Sequence, residues 1–148
     1  MRPRIAYRPM SLRDHRRAVA LWRRTEGMCV TADDRRAGIA LYLRRNRGLC
    51  FVATSAGKLV GTVLCGHDGR RGILRHLAVD KRFRGKGIAR RLVDLSLRAL
   101  ARQGVARCNL FVMDTNPSAM AFWLHLGFKP LDDDYRTLQG AARGSLPG

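Results

Sequence analysis

A chain of 148 residues with 46% hydrophobic content can bury the core of one domain, and it lacks the roughly 20 consecutive apolar residues of a membrane span. The net charge is +18, from 29 lysines and arginines, all but four of them arginine, against 11 acids. Such a balance suits an acidic partner (nucleic acid, an acidic peptide or a phosphate-bearing small ligand), but the arginines are spread along the chain with no RNA-binding aromatic motif beside them, which reads first as an arginine-enriched solvated surface and makes nucleic acid a less favoured partner.

The start, Met1-Arg2-Pro3-Arg4, is not followed by an apolar leader segment, so a cytoplasmic location is expected. Ile5–Pro9 reads as a first strand. Ser11 suits a helix cap, with Asp14 three positions on, and Ala18, Leu21 and Trp22 mark the apolar face of a helix reaching about Thr25. Asp33 or Asp34 would cap a second helix with Ile39, Ala40 and Leu43 inward, ending near Arg47-Gly48. Leu49–Thr54 and Leu59–Gly66 read as strands joined by a Ser55–Lys58 hairpin turn, and Asp68-Gly69 marks the next turn. Ile73–Asp80 is the following strand. Cys29, Cys50, Cys65 and Cys108 show neither a Cys-x-x-Cys pair nor a metal-ligand spacing, so free thiols and no metal are expected.

Arg82-Phe83-Arg84-Gly85-Lys86-Gly87-Ile88-Ala89 comes next and opens a long helix over Gly87–Gln103, closed by Gly104. Strand, basic glycine loop and helix is the order that holds a phosphate. Glycines let backbone N–H groups approach an anion, and the helix directs the positive end of its dipole at the same point. A dinucleotide fingerprint would need a small residue where Arg90 stands, and a P-loop would need Gly-Lys-Ser/Thr where Gly87 is followed by Ile88. A diphosphate-bearing ligand fits what remains.

Ala106–Met113 reads as a strand, Pro117–Leu126 as a helix stopped by Gly127, and Phe128–Leu131 as a strand. Asp132–Asp134 reads as a turn, Tyr135–Gln139 as a short last strand, and Gly140–Gly148 as a frayed glycine-rich tail.

Two segments together resemble the signature regions of the GNAT superfamily of acyl-CoA N-acyltransferases. Arg82-x-x-Gly85-x-Gly87 is similar to the family's pyrophosphate loop. Asn116, Ala119, the aromatic pair Phe122-Trp123 and Gly127-Phe128 are similar to its later helix-to-strand region. The resemblance runs from about residue 5 to 138 and implies one α/β domain over 1–148, with its core over about 4–139. That domain would hold a central twisted mixed sheet of about six to seven strands, flanked by about four helices and splayed in the middle to hold acyl-CoA. It implies direct transfer of an acetyl group from acetyl-CoA to an amine of a small molecule or protein, by a monomer or homodimer. Leu77, Ala78 and Val79 would face the CoA arm. Arg82, Arg84, Gly85, Lys86, Gly87, Ile88 and Ala89 would surround the pyrophosphate, with Asn116, Ala119 and Phe122 on the other side.

Two departures bear on the chemistry. Trp123 stands where many members carry a tyrosine acid; indole only donates, so it can wall a pocket but not act as an acid, and Tyr135 is a distant substitute. Where many members place a glutamate base, the chain has Arg75 and His76. His76, whose alternation with Leu77 could turn it from the cleft, and Glu26 at the end of the first helix are the base candidates. A non-catalytic acyl-CoA-binding or nucleic-acid-binding module on the same scaffold is the alternative.

Overall fold

The computed structural model describes residues 3–131 and 136–144. The expected turn at Asp132–Asp134, Tyr135 and the last four residues of the tail lie outside these. The chain divides into two compact units, Met1–Phe111 and Val112–Gly148.

The first unit is a five-stranded sheet ordered β1-β2-β3-β4-β5: β1 (Ile5–Pro9), β2 (Phe51–Ser55), β3 (Lys58–His67), β4 (Gly72–Val79) and β5 (Cys108–Asn109). The first four strands pair antiparallel, and β5 joins β4 in parallel after a helical crossover. The β2–β3 hairpin closes through Ala56 at φ 48° and Gly57 at φ 77°, a two-residue turn whose left-handed pair matches the strand twist.

Helices α1 (His15–Arg23) and α2 (Arg36–Arg45) belong to one side of the sheet. Ala18, Leu21, Trp22 and Ile39 join Met10, Val52, Leu64 and Ala78 in one buried cluster. Helix α3 (Ile88–Arg102) covers the other side with Ile88, Leu92, Val93, Ala99 and Leu100 buried. It lies close because Gly61 and Gly72 present no side chain: a Cβ at Gly61 would meet Leu92 at 3.1 Å and Ile88 at 3.2 Å, and one at Gly72 would meet Leu100 at 2.5 Å.

Each helix start differs in detail from the sequence expectation. Asp14 does reach back to the Ser11 amide (2.9 Å), but around a 3-10 turn at Leu12–Asp14, with α1 beginning at His15. Neither Asp33 nor Asp34 caps α2: Thr31 opens a 3-10 turn at Ala32–Asp34, and Arg35 precedes the helix. The sheet has five strands among the described residues, fewer than expected. Ala106–Met113 shortens to Cys108–Asn109, and residues 128–131 and 136–139 form no ladder. Pro130 has no N–H to give a ladder, which disfavours a strand there.

The second unit holds α4 (Pro117–His125). Its cap is Asn116, whose Oδ1 accepts from the Ala119 N–H (3.1 Å) and the Ser118 hydroxyl (3.1 Å), and Pro117 takes the first-turn position that needs no donor.

Candidate active site

The glycine loop is held from below by one carboxylate. Asp80 is buried, and its N–H donates to the Val60 carbonyl across β3 (2.8 Å). Its Oδ1 accepts from the Arg82 N–H (3.0 Å), its carbonyl from the Phe83 N–H (2.8 Å), and its Oδ2 from the Arg24 guanidinium (3.2 Å). Burial pushes the Asp80 pKa up, but the Arg82 amide, then the Arg82 and Arg24 side chains, outweigh it and hold the carboxyl below its ordinary value. It therefore stays an anion at neutral pH and fixes a 3-10 turn at Lys81–Phe83.

Beyond that turn the chain reverses through Gly85 (φ 76°) and Gly87 (φ 81°), both left-handed and both facing open space where a Cβ would stand. Gly87 is the N-cap of α3; no side chain caps that end, and its first turn holds no acid. The first-turn N–H groups and the positive end of the dipole therefore meet no side-chain acceptor, and exposed Arg82, Arg84 and Lys86 precede them in the loop, Arg82 bonded to Asp80 and Arg84 Nε donating to the Val79 carbonyl (3.2 Å). Donor count, charge and open space fit a diphosphate. Ile88 contributes only backbone here, since its side chain is buried against the sheet.

The strand feeding the loop is interrupted. The β3–β4 register passes from Thr62–Ala78 to Leu64–Arg75, so His76 and Leu77 together stand opposite Val63 alone, a β-bulge. His76 has φ 48°, a left-handed value rare outside glycine. Three groups hold it there. The Thr62 hydroxyl donates to the His76 carbonyl (2.8 Å) and accepts from the Trp22 indole N–H (2.8 Å). The Trp22 ring meets the imidazole edge-on with centroids 4.5 Å apart. Asp34, 42 residues away in sequence, places Oδ1 at 2.9 Å from His76 Nε2. Asp34 is in turn fixed by the Thr31 N–H on Oδ2 (3.0 Å) and by His15 Nε2 at its carbonyl (2.7 Å).

On its far side β4 meets β5 only at Gly72–Cys108 and Ile73–Asn109. From Leu74 to Val79 it has no strand partner there among the described residues, which is the split that the resemblance led us to expect. A cleft of about 380 Å³ opens where α1 ends beside β4 and the loop; Leu21, Arg24, Thr25, Val79, Asp80 and Arg84 are among its walls.

The structure thus brings Val79, Arg82 and Arg84 to one cleft, with Gly85, Lys86 and Gly87 following in the loop. Leu77 lies in the bulge beside His76, and Ala78 is buried with only its backbone to offer. His76 turns toward Trp22 and Asp34 and is not among the cleft walls. Glu26 is exposed beyond α1 with no ion pair among the described residues. Asn116, Ala119, Phe122 and Trp123 belong to the second unit. There Trp123 packs edge-on against Phe122 (5.1 Å) and Phe128 (5.0 Å), and Asn116 Oδ1 is committed to the cap. The sequence reading missed Asp34 as the partner of His76 and Asp80 as the loop's anchor. In sequence Asp34 reads as a candidate cap for the second helix, and only the fold brings it to His76.

Among the described residues no three His, Cys, Asp or Glu side chains group as a metal site, and no helix is long and apolar enough to cross a membrane.

Comparison with known proteins extends this geometry. The profile of the Acetyltransferase (GNAT) family matches residues 12–128. The acetyltransferase SG1711 of Sodalis glossinidius (strain morsitans) is 29% identical over 119 residues, 80% of this chain and 83% of that protein. Among solved structures, the PaiA N-acetyltransferase of Thermoplasma acidophilum, in complex with coenzyme A, superposes with a TM-score of 0.77 at 18% identity, over 88% of this chain and 93% of that one. Ard1 of Thermoplasma volcanium does so at 0.75 and 25% identity, over 84% and 82%.

Proposed function

The chain belongs to the acetyltransferase (GNAT) family, and on that footing we propose that it moves an acetyl group from acetyl-CoA directly to the nitrogen of an amine. One observation carries this reading: an uncapped helix start, two left-handed glycines and three exposed cations converge at the end of a bulged, half-unpaired strand. Bound acetyl-CoA would supply an activated thioester; the chain's residues hold it and manage the proton. The first-turn amides of α3, with Arg82, Arg84 and Lys86, take the pyrophosphate. The backbone of Leu77–Val79 takes the amide-rich arm and orients the thioester. In the second unit, the Asn116 side-chain nitrogen stands outside the cap that its Oδ1 makes, and Trp123, a donor only, transfers no proton.

His76 is one candidate for the proton acceptor, although its ring turns toward Trp22 and Asp34 and does not line the cleft. Asp34 accepts from Nε2, which fixes the tautomer and leaves Nδ1 as the basic nitrogen. Glu26 is the second candidate. A cationic acceptor meets an unfavourable field over most of the surface, and the exposed Glu26 and Asp33 mark where it is tolerated. The acceptor is a small molecule or a protein amine.

Incubation with acetyl-CoA and a panel of amines, following free CoA and acetylated product by mass, tests the reading. Turnover is expected, and a loss of kcat of at least tenfold in His76→Gln or in Glu26→Gln, with the acetyl-CoA thermal shift kept, would identify the proton acceptor. Acetyl-CoA at 100 times Kd should add about 2.7 kcal/mol of stability. A thermal shift without turnover on any amine would favour the non-catalytic acyl-CoA-binding alternative, and the absence of any shift at millimolar acetyl-CoA would overturn both.

A further inference from the structure

We propose that the end of the first unit remote from the glycine loop binds the phosphate backbone of a nucleic acid. The arginines look scattered in sequence, yet 26 of the 29 lysines and arginines lie in residues 1–111, and the fold gathers a group of them. Three come from the end of α2: Arg44, Arg45 and Arg47. Arg70 and Arg71 come from the β3–β4 turn. Arg102 ends α3, and Arg107 precedes β5. All seven are exposed, and none of their guanidinium groups has an ion pair among the described residues.

Hydrogen bonds weld these segments into one platform. The His67 N–H donates to Asn46 Oδ1 (3.2 Å), and His67 Nε2 meets Gln103 Oε1 (2.8 Å). Gln103 Nε2 donates to the Arg47 carbonyl (3.4 Å), and the Gly72 N–H to the Arg107 carbonyl (2.8 Å). The β3–β4 turn also carries one exposed acid, Asp68, whose Oδ1 accepts from the Arg70 and Arg71 N–H groups (2.8 and 3.0 Å), so two of its lone pairs are already engaged and the turn still carries a net positive charge. Helix dipoles favour cations at the C-terminal ends of α2 and α3, which accounts for Arg44, Arg45 and Arg102. They do not account for Arg70 and Arg71 in a turn or Arg107 before a strand. An all-arginine set on separate elements matches phosphate oxygens, which the planar guanidinium grips in pairs. Among the described residues the segments that carry the seven hold no exposed aromatic side chain, the nearest in sequence being Phe111, four residues past Arg107, so the surface reads charge and spacing. Helix α3, of 15 residues, puts about 20 Å between this platform and the loop, so both can be filled together.

Fluorescence anisotropy of the full chain with a labelled 30-nucleotide single-stranded RNA, and separately with duplex DNA of that length, tests this. The triple variant Arg44→Gln/Arg45→Gln/Arg47→Gln should weaken binding at least tenfold and lower the slope of log affinity against log salt by about 2. A control with the same charge change, Arg13→Gln/Arg16→Gln/Arg23→Gln on and beside α1, should lose less than threefold. Both variants should keep the wild-type thermal shift with acetyl-CoA, and 1 mM CoA should leave RNA binding unchanged. Binding of both polymers with this arginine dependence supports phosphate readout. Equal losses in the two variants, displacement by CoA, absence of wild-type binding, or capture by phosphatidylserine vesicles but not by RNA would overturn it.

Discussion

Gly87 carries two demands at once, a left-handed backbone and open space in front of it. A β-branched residue there strains the backbone by roughly 1–3 kcal/mol and projects into the open space proposed for the pyrophosphate. Gly87→Val should raise the Kd for acetyl-CoA at least tenfold by titration calorimetry while the fold survives; normal binding would reduce the loop to a turn. Asp14 makes a second residue-level case. It is 1% exposed and accepts from Arg8 through both oxygens (2.8 and 2.7 Å), from the Ser11 N–H and from Arg17. Burial pushes its pKa up, but these donors, Arg8 foremost, bring it below the ordinary value. A depressed carboxyl contributes stability that is complete above its unfolded pKa of about 3.9 and is lost as pH falls through the folded value. Asp14→Asn should therefore cost about 2 kcal/mol at pH 7 and show a flatter loss of stability below pH 4 than wild type, in chemical denaturation across pH.

Among the elements, α3 bears most directly on the site because it carries the loop on its first turn. Its seat on β3 depends on Gly61. Gly61→Val should overpack Leu92, Ile88 and Ala53, costing about 1–3 kcal/mol and lowering Tm by several degrees, whereas Gly140→Val, with nothing near its Cβ, should leave Tm unchanged. Elements of this kind were readable from the sequence wherever local signals decide them. β1, the two hairpin turns and α3 fall within a residue or two of expectation, because alternation, Gly pairs and a helix-period stripe are short-range patterns. The bulge was not readable: nothing in Arg75-His76-Leu77 announces an extra residue. It arises from tertiary anchors, namely Thr62 on the His76 carbonyl, Trp22 on its ring and Asp34 on its nitrogen. Likewise the Ala106–Met113 stretch alternates well enough for a long strand, yet only two of its residues find a partner.

For the molecule as a whole, the glycine loop and family were legible because they rest on contiguous residues, and the arginine platform was not because its members lie on four separate segments. The same distinction governs how the site comes into being. Three ties that shape it join residues far apart in sequence: Trp22 to Thr62 over 40 residues, Asp34 to His76 over 42, Arg24 to Asp80 over 56. Such long-range closures slow folding relative to local ones. During synthesis α1 and the Thr31–Asp34 turn leave the ribosome before β3 and β4, so Trp22 and Asp34 lack their partners until those strands follow. The sheet cannot be covered on its second side before α3 is complete at Arg102. A nascent chain stalled short of that point would carry an incomplete site and an uncovered apolar sheet face, the kind of surface that makes partly folded chains prone to aggregate.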